Sequence, residues 1–100
     1  MQYEWDEDKN VANRRKHDVS FELAVLAFDD ENCLMYPERI DDETGEQRWH
    51  ALGKAQIEAG SGVLLLVVHV YRGYGDGEEI IRIISARAAT PGETRRYYAN

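Results

Sequence analysis

Three apolar runs separated by glycine turns constrain this chain most. Gln47 to Ile57 alternates, with Trp49, Ala51, Gly53, Ala55 and Ile57 on one face and Arg48, His50, Leu52, Lys54 and Gln56 on the other. Val63 to Arg72 is apolar on both faces until His69, the pattern of a central strand. Glu79 to Arg87 alternates again: Ile81, Ile83, Ser85 and Arg87 share one face, and Ile80, Arg82, Ile84 and Ala86 the other. The links Gly60-Ser61-Gly62 and Gly73-Tyr74-Gly75-Asp76-Gly77 suit hairpins and are too short for a crossover, so these strands form an antiparallel meander. Asn32 to Tyr36 reads as a further short strand stopped by Pro37, and Ile40 to Gly45 as an acidic loop.

Helices flank these strands. Asp6 caps a helix starting near Glu7, with acidic residues in its first turn and Arg14, Arg15 and Lys16 in its last, matching the helix dipole at both ends. Its interior buries only a thin apolar stripe. Ser20 caps a second helix, in which Phe21, Ala24, Val25 and Phe28 share a face. Thr90-Pro91-Gly92-Glu93 is a capping box that opens a short closing helix. The expected class is α+β: two N-terminal helices, an antiparallel sheet of three to four strands and a short C-terminal helix, with helices mainly on one sheet face. With 100 residues, one domain over residues 1–100 is expected.

Composition excludes several functions. A formal charge of −7 opposes nucleic-acid binding by bulk electrostatics. That charge is uneven: residues 1–50 hold 14 acidic and 6 basic side chains, residues 51–100 hold 5 and 6. The polar N-terminus lacks the apolar core of a signal peptide, and no run reaches the ~20 apolar residues of a membrane helix. With a lone Cys33, which cannot form an internal disulfide, the expectation is a cytoplasmic protein with no membrane partner. The GYGDG run is followed by a strand and two glutamates, so it reads as a hairpin and not a phosphate loop. His17, His50, His69 and Cys33 lack ligand spacing, so neither a metal nor a cofactor is expected. Cys33 reads as a small packing residue, and no nucleophile triad has a local signature.

The strand-borne arginines carry more information. A guanidinium keeps its proton, so Arg48 and Arg82 each need an acidic partner or an anionic ligand. Arg87, Arg95 and Arg96 can extend the same positive surface, with His and Tyr close in sequence. Such a set suits a phosphodiester: Arg neutralises the charge that builds on phosphorus, and His or Glu moves protons.

The segments YEWDEDKNVANRRKHDVSFELA and IIRIISARAATPGETRRYY, with EQRWHALG between them, resemble the BrnT family of type II toxin–antitoxin toxins across residues 3–98. The matching positions are Trp5, Asp6, Lys9, Asn10, Asn13, Lys16, His17, Glu46, Arg48, Arg82, Ser85, Arg87, Glu93 and Tyr97. Asp18 stands where the family pattern has glycine, at a helix end that calls for left-handed geometry. The resemblance implies a RelE-like fold and a ribonuclease that arrests translation. It implies RNA as substrate, neutralisation by a cognate BrnA-like antitoxin, and a toxin–antitoxin hetero-oligomer that binds operator DNA through the antitoxin. In that reading the RNA 2′-OH attacks the adjacent phosphate without a metal. Arg48, Arg82 and Arg87 hold the phosphate, Glu46 or His17 is the base, and His17 or His50 the acid. Lys9, Arg15, Lys16 and Arg95 steer the backbone, and Tyr97 or Tyr98 stacks on a base. Asp6 and Glu93 also serve caps, Trp5 is expected in the core, and Asn10 and Asn13 are expected to bond backbone. Two other classes fit the acidity: a degenerate toxin that binds an antitoxin without cutting, and an acidic scaffold whose arginines are internally paired.

Overall fold

The computed structural model describes residues 1–75 and 77–99. Helix α1 (Glu7–His17) starts where Asp6 accepts hydrogen bonds from the Asp8 and Lys9 amides. It ends at Asp18, whose φ of 57° is left-handed and whose N–H donates to the Arg14 carbonyl. An L-residue with a short polar side chain therefore fills the position for which the family pattern has glycine. Helix α2 (Phe21–Ala27) starts at Ser20, whose hydroxyl accepts from the Leu23 amide. Helix α3 (Pro91–Tyr98) carries the complete Thr90–Glu93 capping box. All three starts are legible because a cap is a local hydrogen bond.

The strands are β1 (Gln2–Glu4), β2 (Leu34–Ile40), β3 (Gln47–Glu58), β4 (Ser61–Gly75) and β5 (Glu78–Ala88). They form one sheet in the order β1-β5-β4-β3-β2. The meander of β3, β4 and β5 is antiparallel, with β4 central, as the hairpin links require. Asp76, in the second link, lies outside the described residues.

Three expectations need correction. The sheet has five strands and is mixed, because β1 pairs parallel to β5 (Gln2↔Ile80, Glu4↔Arg82). Three residues are too few to show a periodicity, so β1 depends on the edge that β5 offers. Pro37 does not stop β2; the strand runs on to Ile40. It is an edge strand with a register shift after Pro37, and an edge tolerates a missing N–H donor. Finally, β5 does not alternate evenly. Val68 pairs with Ser85 but His69 with Ile83, so Ile84 is an extra residue. Ala86 thereby joins Ile81 and Ile83 in the core, and Ser85 and Arg87 turn to the face that carries Arg82.

One sheet face packs under α2. Phe21, Ala24 and Ala27 meet Ala51, Ala55, Leu65, Val67, Ile81 and Ile83, all buried. Trp5, Tyr3 and Phe28 close this layer, and Trp5 meets Phe21 edge-on. Helix α1 is tied on by polar groups. Asn10 Oδ1 accepts from the Phe21 amide; Asn13 Nδ2 donates to the Val19 and Ala86 carbonyls, and Asn13 Oδ1 accepts from the Ala86 amide. Both asparagines are buried and satisfied, as expected for backbone-bonding residues. The other face is partly covered by α3, where Tyr97 packs on Leu52 and Leu66. The rest of that face is open. No helix among the described residues is long and apolar enough to cross a membrane.

Candidate active site

The open sheet face carries polar residues because β3 and β5 alternate and the β5 bulge aligns them. Arg48 on β3 and Arg82 on β5 flank Val70 of β4, and Glu4 of β1 follows Arg82. Above this row a cleft of about 170 Å³ is lined by Lys9, Asp41, Glu46, Arg48, Arg72 and Arg82. It thus gathers four cations and two carboxylates. The next row along the sheet is Tyr36–His50–Val68–Ser85, and the one after it Leu34–Leu52–Leu66–Arg87.

Each arginine of this face has a carboxylate near it, but the pairs differ. Arg82 donates to Glu4 at 2.6 Å. Arg87 makes a two-pronged pair with Glu93, at 2.8 and 3.0 Å. That guanidinium, ahead of the opposing cost of burial, drives the Glu93 pKa down to about 2. Arg72 meets Glu46 at 3.3 Å. Arg48 is held least tightly: Glu38 Oε2 is 3.7 Å from its Nε and Asp41 Oδ2 is 3.9 Å from its Nη1. Both distances exceed a hydrogen bond, and the buried Nε has no hydrogen-bond partner. Arg48 is therefore the arginine of these four with the weakest hold on a carboxylate.

His50 lies beside Arg48 along β3. Its Nε2 is 3.3 Å from Glu38 Oε2, and its ring meets Tyr36 edge-on. Arg96 of α3 stacks on Tyr36, 3.9 Å from the ring centre. Burial raises the Tyr36 pKa, partly offset by the Arg96 charge, so the phenol stays neutral.

The structure brings together Lys9, Glu46, Arg48 and Arg82 of the residues named from sequence, with His50 adjoining. His17 ends α1 half-buried and does not line the cleft; nor does Arg87, whose carboxylate partner ties β5 to α3. Arg15 and Lys16 are exposed on α1, and Arg95 on α3. Tyr97 is only 7% exposed, and its hydroxyl donates to Asp30, so its ring is not offered to a base. Burial, then this bond, pushes its pKa up to about 12. Burial opposes the charge on Asp30, but the Tyr97 hydroxyl and the Lys54 and Asn32 amides outweigh it and lower its pKa. Tyr98 is 62% exposed, with Lys54 over its ring.

Sequence reasoning missed Arg72 and Glu38. Arg72 carried a legible signal, two residues beyond Val70 on the same strand. Glu38 carried none, because the segment after Pro37 reads as the end of a strand. A larger cleft, about 330 Å³, lies between α2 and β3. Among the described residues, Asp29, Asp30 and Glu31 line it against the one cation Lys54, a net charge that repels phosphate. Burial, chiefly, raises the Cys33 thiol to about 11, so it is a packing residue and not a nucleophile. Among the described residues no cluster of His, Cys, Asp and Glu could hold a metal ion.

Comparison with curated proteins finds no match. Residues 5–93 match the family model described as the ribonuclease toxin, BrnT, of type II toxin–antitoxin systems. That stretch includes both helices before the meander, the whole cleft and the Glu93 cap, and the chain belongs to the BrnT family of ribonuclease toxins.

Proposed function

We propose that this protein is a metal-independent endoribonuclease whose active site is the Arg48–Arg82 cleft. The observation that carries the reading is the convergence of Lys9, Arg48, Arg72, Arg82 and Glu46 on one open sheet face in a ribonuclease-toxin family. The phosphate of RNA lies against Arg48 and Arg82. Glu46 takes the proton from the 2′-OH, the 2′ oxygen bonds to phosphorus, and the bond to the 5′ oxygen breaks. His50 gives that oxygen a proton. The products are a 2′,3′-cyclic phosphate and a 5′-OH. The arginines supply the charge stabilisation that the transition state needs. Lys9, with Arg15 and Lys16 on α1, steers the backbone, and Tyr98 stacks on a base. His17 and Arg87 act outside the reacting centre.

The wider assignment follows the family. The protein acts in the cytoplasm, arrests translation, and is neutralised by a BrnA-like antitoxin that carries the complex to operator DNA. Two helices, a meander and a closing helix suit a RelE-like reading. The test is direct: purified protein, separated from antitoxin, cuts RNA in EDTA and leaves cyclic-phosphate ends. Intact RNA with a folded protein overturns the reading.

A second reading has its own support, because each arginine of the face already faces a carboxylate. A degenerate toxin that binds an antitoxin without cutting would look the same. It predicts tight partner binding with no growth arrest on expression of the chain alone.

A further inference from the structure

Glu38 sits where the two halves of the proposed chemistry meet. Its Oε2 lies 3.3 Å from His50 Nε2 and 3.7 Å from Arg48 Nε. The Glu38 side chain is 23% exposed, and His50 and Arg48 are 21% and 17% exposed. Three atoms of this cluster are buried without a hydrogen-bond partner: Glu38 Oε2, Arg48 Nε and His50 Nδ1. An orphaned carboxylate oxygen between a guanidinium and an imidazole is costly unless those two groups hold it. Glu38 follows Leu34 and Tyr36 on the same face of β2, which turns it toward His50 and Arg48.

We propose that Glu38 is a positioning residue that orients His50 and keeps Arg48 in place, loosely enough for the scissile phosphate to take it over. This rests on the reading of the cleft as a ribonuclease site. The carboxylate lies against the imidazole edge and fixes how the ring faces the cleft, where it serves the leaving 5′ oxygen. Its contact with Arg48 is too long for a hydrogen bond, so a phosphate can take the guanidinium over without first breaking a tight pair. The other charged or titratable groups around His50 are Arg48 on its own strand, Tyr36 of β2 and Arg96 of α3 over Tyr36. His69 of β4 completes the set through a repulsive coupling with His50. Among these acids and bases, Glu38 is the carboxylate within 4 Å of His50.

The test is Glu38→Gln, which keeps shape and removes charge, assayed on single-stranded RNA beside wild type and His50→Gln. The expected result is kcat down by about 10- to 100-fold with KM unchanged or lower, since a charge that opposes phosphate is gone. Glu38→Gln added to His50→Gln should cost little more than His50→Gln alone. Glu38→Asp should restore part of the rate. A Glu38→Gln protein with wild-type kcat and KM overturns the proposal while leaving the ribonuclease reading intact. A wild-type protein that cuts no RNA overturns that reading instead. Unfolding midpoints of each variant separate a folding defect from a kinetic one.

Discussion

His69 is the residue most at odds with its surroundings. It is fully buried on the helix-covered face, edge-on to Phe28 and Tyr71, with Nδ1 3.4 Å from the Val67 carbonyl and Nε2 unpartnered. Desolvation lowers its pKa to about 4. Its folded value thus lies below the unfolded one near 6.5, so the fold favours the neutral ring. The associated stability is complete above pH 6.5 and is lost as pH falls toward 4, a change of roughly 3 kcal/mol. Urea unfolding from pH 7 to 4 should show that loss in wild type. His69→Gln should flatten it; an unchanged slope would show that another group titrates. Glu93 works lower, between its ordinary value and about 2, because its charge is favoured in the fold. The position of His69 on an apolar run is plain from sequence, but its missing partner is not, since that depends on which side chains close over the ring.

At the scale of elements, caps and turns were legible and face assignments were less so. A cap needs residues three apart in sequence, as Thr90 and Glu93 are. A bulge depends on how two strands align, and the extra Ile84 reversed the faces expected for Ser85, Ala86 and Arg87. The packing of α2 on β3 turns on one position. A Cβ at Gly53 would overlap the Ala27 carbonyl oxygen and lie 3.0 Å from Cys33 Sγ. The first is backbone and cannot swing aside. Gly53→Ala should therefore cost roughly 1–3 kcal/mol of unfolding free energy. Gly62→Ala meets only the Lys54 and Gln56 side chains and is the matched control, expected to cost less. Equal midpoints in urea for the two variants would refute this view of the α2–β3 contact.

For the whole molecule, the charge of −7 coexists with a local cluster of cations. Field averages over the surface oppose RNA, while the cleft offers Lys9, Arg48 and Arg82 within one small volume. With about three phosphate contacts on a single strand, log K for RNA should fall with log salt at a slope near −2. A filter-binding or fluorescence titration from 50 to 300 mM salt would measure it. A slope near zero would mean that the cleft does not take phosphate. The antitoxin is expected to bind far more tightly, because the acidic segment Asp29–Glu31, apart from the cleft, offers a basic partner a second surface.

The sequence by itself determined the helix starts, the antiparallel β3–β4–β5 meander with β4 central, the structural roles of Asn10 and Asn13, and the family. Each rests on a local hydrogen bond, on strand periodicity or on a motif read along the chain. Only the tertiary structure decided that β1 adds a parallel edge and that β2 passes through Pro37. It alone set Arg82 and Arg48 across Val70, buried Tyr97 against Asp30, and aimed Glu38 between His50 and Arg48. These depend on strand register and on partners up to 78 residues apart, such as Arg82 and Glu4. Neither propensity nor spacing encodes a pairing between segments that meet only when the sheet closes.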